Sequence, residues 1–376
     1  MQIEDLALSF LKGIGIRSAN ALLEFFGSAA AFFKATVQDC RDAGLKPRFC
    51  DNLEKVRTAA LRRAEKELQL SRQNGIRIIC PEDADYPISL RCCSDAPLAL
   101  YYRGTMHVNG KQGLAVVGTR RASTYGKEQS RLAVEGLAGQ NIFTVSGLAI
   151  GIDTQAHQSS LESGLPTYAV LAHGLERVYP EENHGLAKKI IDQGGAILSE
   201  MPLHTQIKSG LFPRRNRIIA GMAEVTLVAE ASMKGGAMHT AYAADSYQRS
   251  LFAVPGRNKD YYYEGCNYLI KTGRARLFQE AKDIRREMGL DDTCGLVKGN
   301  KTGQTDPYGH AGLPGFQPDL EQSTILERLK SENPASTDYL LQHTGLALPD
   351  LLSCLLRLEL AGLVRSCPGG YYELAH

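Results

Sequence analysis

Several chemistries lack their marks in this 376-residue sequence. The nine cysteines form no C-x-x-C pair and no His/Cys spacing of metal-site type, and Cys92-Cys93 is merely adjacent. That pattern argues against a zinc module, and an odd cysteine count fits reduced thiols better than a disulfide framework. No apolar run approaches the roughly 18 residues of a membrane helix, so no membrane partner is expected. The opening Met1-Gln2-Ile3-Glu4-Asp5 carries acid where a secretory leader carries base, so a cytoplasmic location is expected. G-x-S-x-G is absent, and no G-x-G-x-x-G follows the first strand-like run. Gly126-Lys127 lacks both the upstream glycine and the downstream Ser/Thr of a Walker loop. Serine-type covalent chemistry, dinucleotide binding and ATP binding are disfavoured, and neither a cofactor nor a metal is expected.

What is present is alternation. The apolar runs Leu114-Val117, Ile142-Val145, Thr167-Leu171, Ala196-Leu198, Val225-Val228 and Leu251-Val254 are separated by stretches of helical character. These are Tyr125-Ala138, Ile152-Glu162, Leu186-Gln193, Pro213-Met222 and Ala237-Tyr247. Apolar strands spaced by helices imply an α/β fold with a parallel sheet covered on both faces, an extended Rossmann-like core. Ile76-Cys80 and Leu98-Tyr102 read as further strands that extend this sheet. Residues 1–75 read as short helices around Gly13-Ile14-Gly15, a helix-hairpin-helix or SAM-like domain. Such a hairpin either holds a phosphate on its amides or needs glycine only for its turn, and Lys12 and Arg17 supply little charge.

The core then spans 76–288, a Gly- and Pro-rich linker 289–317, and a last domain 318–376. In that last domain Leu320-Leu329, Thr337-His343 and Pro349-Leu360 read as helices, with Ser336 as a cap. A hairpin around Pro368-Gly369-Gly370 completes a winged helix. Its third helix offers Asp350, Ser353, Arg357 and Glu359 among six leucines. Protein contact or dimer stabilisation suits that face better than base reading.

The formal net charge is only +2, so a bound polyanion needs positive charge gathered locally. Three loops that follow apolar runs gather it: Gly118-Thr119-Arg120-Arg121-Ala122-Ser123, Ser146-Gly147-Leu148-Ala149-Ile150-Gly151-Ile152-Asp153 and Phe212-Pro213-Arg214-Arg215-Asn216-Arg217. A fourth turn, Lys234-Gly235-Gly236, follows Val225-Ala231. Strand carboxyl ends share one edge of a parallel sheet, so these loops face one crevice of amides, helix N-termini and guanidiniums. Phosphate is the expected ligand group. Pro213 suits a first helical turn, so Arg214 to Arg217 crowd the positive end of a helix. That crowding costs stability unless an anion is supplied, which points to a polyanionic ligand.

Phe212 is either a core residue or a base-stacking platform. Tyr261-Tyr262-Tyr263 either stack bases or form a connection or subunit contact. Asp153 is expected to cap its helix, and His157 and His173 to pack or cap. Glu230 is expected to anchor guanidiniums. An enzyme splitting base from ribose in nucleoside monophosphates is the alternative reading. It needs an acid near the glycine turn, and 236–241 contains none.

Taken together, Val116-Val117-Gly118-Thr119-Arg120-Arg121-Ala122-Ser123, Ser146-Gly147-Leu148-Ala149, Ala156-His157, Tyr179-Pro180, Ser199-Glu200, Phe212-Pro213, Arg215-Asn216-Arg217 and Ala253-Val254-Pro255-Gly256 resemble the DNA-processing protein A family, also called DprA or Smf. The likeness covers about 80–285 closely. It implies a single-stranded DNA binder without catalytic turnover, which protects incoming strands and helps load the RecA recombinase in natural transformation. It also implies a homodimer formed through the Rossmann-like domain. By motif, Arg120, Ser146, Gly147, Arg215 and Asn216 carry over as DNA backbone contacts, Phe212 as a stacking residue and Lys208 more loosely. With Gly118, Thr119, Ser123, Gly235 and Gly236 they make up the expected DNA-binding set. The chain departs from the family pattern at Gly235-Gly236-Ala237-Met238-His239-Thr240.

Overall fold

Local signals set the first segment. Helix α1 (Ile3–Leu8) leads through the Gly13 turn into α2 (Ile16–Phe26), which closes on left-handed Gly27. Ser28 Oγ accepts from Ala31 N at 3.1 Å to start α3 (Ala29–Lys34). Thr36 and Asp39 form a capping box on α4 (Val37–Asp42). Short α5 (Pro47–Cys50) precedes α6 (Leu53–Gln73), whose Arg57 is 3 % exposed. Its guanidinium donates to Ala35 O at 2.6 Å and to Phe32 O, closing the end of α3. The structure is a computed structural model that describes residues 2–290, 318–331, 333, 335–367 and 371–374. Past Leu290, the expected linker lies outside the described residues.

Strands and helices then alternate. The order is β1 (Arg77–Ile79), α7 (Ile88–Arg91), β2 (Leu100–Gly104), β3 (Gln112–Gly118), α8 (Thr124–Glu135), β4 (Ile142–Ser146), α9 (Ile152–Glu162), β5 (Thr167–Leu171) and α10 (His184–Asp192). After them come β6 (Ala196–Ser199), α11 (Leu211–Met222), β7 (Val225–Glu230), α12 (Gly236–Ser246), β8 (Ser250–Ala253), α13 (Glu264–Lys271), β9 (Arg276–Leu277) and α14 (Ala281–Glu287). One nine-stranded sheet results, in the order β1-β2-β6-β5-β4-β3-β7-β8-β9. The pairs from β6 to β9 are parallel, whereas β1 and β2 join antiparallel at one edge. Strand order reverses between β3 and β7, which makes the rim there a switch point for ligands.

Alternate residues of each strand feed opposite faces. Tyr168, Val170, Leu198 and Tyr102 join one apolar cluster, while Ala169, Leu171, Ile197 and Tyr101 join another. The second cluster also contains Leu6, Phe10, Leu22, Phe32 and Leu53, so the N-terminal helices share a core with one sheet face. Glu67 of α6 fastens the same contact, accepting from Leu203 N at 2.7 Å.

The chain divides into two compact units, Met1–Cys294 and Gly295–His376. The second holds α15 (Leu320–Ser331), β10 (Ala335–Ser336), α16 (Thr337–Thr344), α17 (Leu348–Leu360), β11 (Val364–Cys367) and β12 (Tyr371–Leu374). Its strands order as β10-β12-β11 around Ile325, Leu340, Leu351 and Leu355, a winged helix. Ser336 Oγ caps α16 by accepting from Tyr339 N at 3.1 Å. On α17, Leu348, Leu352 and Leu356 are exposed. Among the described residues no helix is long and apolar enough to cross a membrane.

Gly104 ends β2 with φ +112°, and a Cβ there would meet Gly195 O at 2.3 Å. Gly110 has φ +81° with nothing within 4 Å of such a Cβ. Gly104→Ala is expected to cost several kcal/mol, from strain of about 1–3 kcal/mol plus the clash. Gly110→Ala should cost about 1–2 kcal/mol. Urea unfolding of both variants checks this, and equal losses would refute the steric argument.

Candidate nucleic-acid interface

The β3 and β7 carboxyl ends build the first wall. Ser123 is the N-cap of α8, its Oγ accepting from Gly126 N at 3.0 Å. The same hydroxyl donates to Glu230 Oε2 at 2.8 Å, and Ser123 N donates to that oxygen at 2.9 Å. Tyr263 Oη, from the approach to α13, reaches it at 3.4 Å. Glu230 is fully buried at the end of β7. It therefore anchors an amide and two hydroxyls, not the guanidiniums expected of it. Ser123 is committed to fixing the loop, and Tyr263 packs inside while Tyr261 and Tyr262 stay exposed.

The β4 end builds the second wall. Ser146 is 1 % exposed, and its Oγ donates to Val116 O at 2.6 Å, tying β4 to β3. Asp153 does not cap α9 as expected: Gly151 is the N-cap without a side-chain cap bond, and Asp153, inside the first turn of the helix, instead accepts from the loop amide Ala149 N at 3.3 Å. Leu148 is fully buried with φ +58°, and Asn183 Nδ2 donates to its carbonyl at 2.8 Å.

Arg215 of α11 binds these walls together. It is 7 % exposed, and its Nη1 donates to Gly147 O at 2.7 Å and to Val170 O. Its Nε donates to Asn216 Oδ1 at 3.0 Å, while Asn216 Nδ2 donates to Gly236 O at 3.1 Å. A Cβ on Gly147 would lie 2.6 Å from Arg215 Nη2, so only glycine lets the guanidinium so close. Burial pulls the Arg215 pKa down to about 10, against the attraction of Asp153, so the charge persists at neutral pH. Burial raises the Asp153 carboxyl, and Arg215 opposes it.

Above this staple lies Phe212, half-buried in the first turn of α11. Its ring centroid is 5.2 Å from Arg120 Cζ, 6.0 Å from Arg215 Cζ and 6.3 Å from the Tyr179 ring. Two adjoining clefts meet here. The larger, open to solvent and about 960 Å³, is lined by Gly118, Thr119, Arg120, Phe212, Arg215 and Asn216, together with Gly235 and Gly236. The smaller, about 390 Å³, adds Gly147, His173 and Tyr179. Most of the sequence-expected set thus converges at the switch point. Ser123 and Ser146 support the loops from behind, and Lys208 is exposed without lining either cleft. Tyr179, Ser232 and Thr240 also line the clefts. Of these, Tyr179 stood in the Tyr179-Pro180 motif and Thr240 in the atypical run after Gly235, while Ser232 carried no signal.

One argument for an external polyanion needs correction. Arg214 and Arg217 do crowd the start of α11, but the chain supplies their anion itself. Glu200, just past β6, meets Arg214 Nε at 3.1 Å and Arg217 Nη2 at 2.5 Å, and Asp95 lies 3.9 Å from Arg217. The cations left without an ion pair among the described residues include Arg120, Arg121 and Lys234, all exposed. Among the described residues no cluster of three or more His, Cys, Asp or Glu side chains is arranged to hold a metal.

Comparison with known proteins adds ancestry to this geometry. Residues 77–289 match the family model described as DNA recombination-mediator protein A, and residues 311–370 match the DprA winged helix domain. Protein Smf of Escherichia coli is 33 % identical over 335 residues, covering 84 % of each chain. DNA processing protein DprA of Streptococcus pneumoniae is 38 % identical over 205 residues, covering 54 % of this chain and 72 % of that one. A crystal structure of the Streptococcus pneumoniae protein superposes with a TM-score of 0.65 at 29 % identity, covering 76 % of this chain and 98 % of that one. A structure of DNA processing protein A from Helicobacter pylori, described for its single-stranded DNA binding mode, gives 0.51 at 29 % identity over 57 % of this chain and 95 % of that one.

His157 packs, as expected from its helix. It is fully buried with Nδ1 2.7 Å from Thr167 Oγ1, and burial lowers its pKa from 6.5 to about 3. The unfolded chain therefore takes up this proton first, and the stability tied to neutral His157 is lost as pH falls from about 6.5 towards 3. Wild type should lose up to about 2 kcal/mol more than His157→Gln between pH 7 and 5 in urea unfolding. Parallel losses in the two proteins would reject this assignment.

Proposed function

The chain belongs to the DNA recombination-mediator protein A family, and from that premise we propose that its switch-point crevice binds single-stranded DNA. The observation that carries this reading is the half-buried Phe212 ring at the crevice, 5.2 Å from Arg120 Cζ and 6.0 Å from Arg215 Cζ. An aromatic face stacks any base, and the exposed Arg120 guanidinium takes a neighbouring phosphate while buried Arg215 lends charge from behind. Amides at the start of α12, whose N-cap Gly235 makes no side-chain cap bond, add neutral donors for the same backbone. A crevice made of loops presents no helix or ribbon shaped for a major groove, which favours one strand over a duplex. Such contacts read the backbone, so sequence preference is weak.

The finer reading is a non-catalytic mediator in the cytoplasm, which shields incoming strands and hands them to a RecA-type recombinase during natural transformation. Support comes from the family's description as a recombination mediator, since mediation implies a recombinase to act on. A homodimer through the Rossmann-like domain is part of the same reading. Exposed Tyr242, Tyr261, Tyr262, Tyr268 and Leu277 lie on or beside elements that pack on β8 or pair with it. The nucleoside-monophosphate alternative loses support because Asp153, a carboxylate lining the crevice, is engaged by Ala149 N and faces Arg215.

Arg120→Ala is expected to weaken binding of an oligothymidylate and flatten its log–log salt dependence by roughly 0.7, one phosphate's share. Phe212→Ala should lose about 1–3 kcal/mol, roughly five- to 150-fold, with the slope nearly intact. Fluorescence anisotropy across a salt series reads both, and unchanged affinity and slope in both variants would defeat the proposal. Leu277→Glu with Tyr268→Ala should sediment as a monomer where wild type sediments as a dimer. An unaltered dimer would move the interface elsewhere.

A further inference from the structure

A third cleft of about 1000 Å³ lies between the N-terminal helical hairpin and β2, lined by Lys12, Gly15, Arg63, Tyr101, Glu200 and Arg214 among others. Its charge is lopsided. Glu200 is already shared by Arg214 and Arg217, whereas Lys12 and Arg63 have no ion pair among the described residues. Arg63 Cζ sits 4.5 Å from the Phe10 ring centroid, which holds the planar cation in place. Helix α2 starts at this cleft with Gly15 as N-cap, no side-chain cap and no acid in its first turn. Its first amides therefore lack an anionic partner. Tyr101 is 1 % exposed, and its Oη is buried without a hydrogen-bond partner. A buried hydroxyl left so is costly unless something supplies an acceptor or donor.

The cleft adjoins the crevice through α11. Phe212 and Arg215 of its first turn line the crevice, and Arg214 lines this cleft. Phe212 and Arg214, two residues apart, point to opposite sides of the helix, about 200° around it. The helix with its side chains is about 10–12 Å thick, a distance that about three nucleotides cover.

We propose that a bound strand crosses the first turn of α11 and seats further backbone phosphates in the hairpin cleft, on Lys12, Arg63 and the α2 amides. This rests on the single-stranded reading of the crevice and extends its track. It gives the Gly13-Ile14-Gly15 turn a ligand that its own two cations were too few to hold.

The test compares a short oligothymidylate of about three nucleotides, too short to fill the crevice and also cross α11, with a long one of about twenty-five, on full-length protein by anisotropy. Lys12→Glu with Arg63→Glu should leave short-oligomer affinity unchanged and weaken the long oligomer at least about tenfold. The long-oligomer salt slope should fall by about 1.4, the share of two phosphates. A control with the same charge change, Lys55→Glu with Lys66→Glu on the exposed side of α6, should alter neither. An unchanged long-oligomer affinity and slope, an equal loss at both lengths, or an equal loss in the control each overturn the proposal. Failure of wild type to bind either oligomer overturns the crevice reading itself. Preserved short-oligomer binding shows that the variant is folded.

Discussion

A single buried cation organises the carboxyl rim of this sheet. Arg215 reaches from α11 to the carbonyls of Gly147 and Val170, and its neighbour Asn216 reaches Gly236. Three strands' worth of loop geometry thus hang on one side-chain pair. Burying a guanidinium is costly, and it is offset here by carbonyl acceptors and by Asp153 nearby. The arrangement explains why Gly147 tolerates no Cβ, and why Arg215 is better regarded as scaffold that also lends charge than as a free phosphate ligand. In the proposed reading the exposed contact falls to Arg120, beside Phe212.

The rest of the first unit is arranged around keeping that rim in place. Glu200 neutralises the remaining arginines of α11, so the helix start is stable before any ligand arrives. Glu230 performs the corresponding task behind β3, holding Ser123 and Tyr263. The N-terminal helices complete the second sheet face, since Phe10, Leu22 and Leu53 share a cluster with Leu171 and Ile197.

The parallel core was legible because each of its inner strands is a near-continuous apolar run, and helices of ten or so residues separate them. β9 was not, since Arg276 and Leu277 form a two-residue exposed edge with no alternation to detect. The antiparallel direction of β1 and β2 was equally hidden, because pairing sense depends on the connection through Pro81 to Pro97 and not on strand composition. At the site, Gly-rich loops and clustered arginines marked the crevice. The roles inside it were less visible: Glu200 lies fourteen residues from Arg214 in sequence and Glu230 lies 107 from Ser123. Which acid answers which base is a property of tertiary contact, so Arg214 and Arg217 looked unpartnered and Glu230 looked like their anchor.

Leu148 carries one further consequence. A branched side chain in left-handed backbone is unfavourable, and here it is fixed by full burial and by the amide of Asn183. The turn after β4 is thereby frozen at the moment the chain folds. A strand bound as proposed would meet a rigid receptor at that turn, and the ordering entropy of association would fall mainly on the flexible polymer.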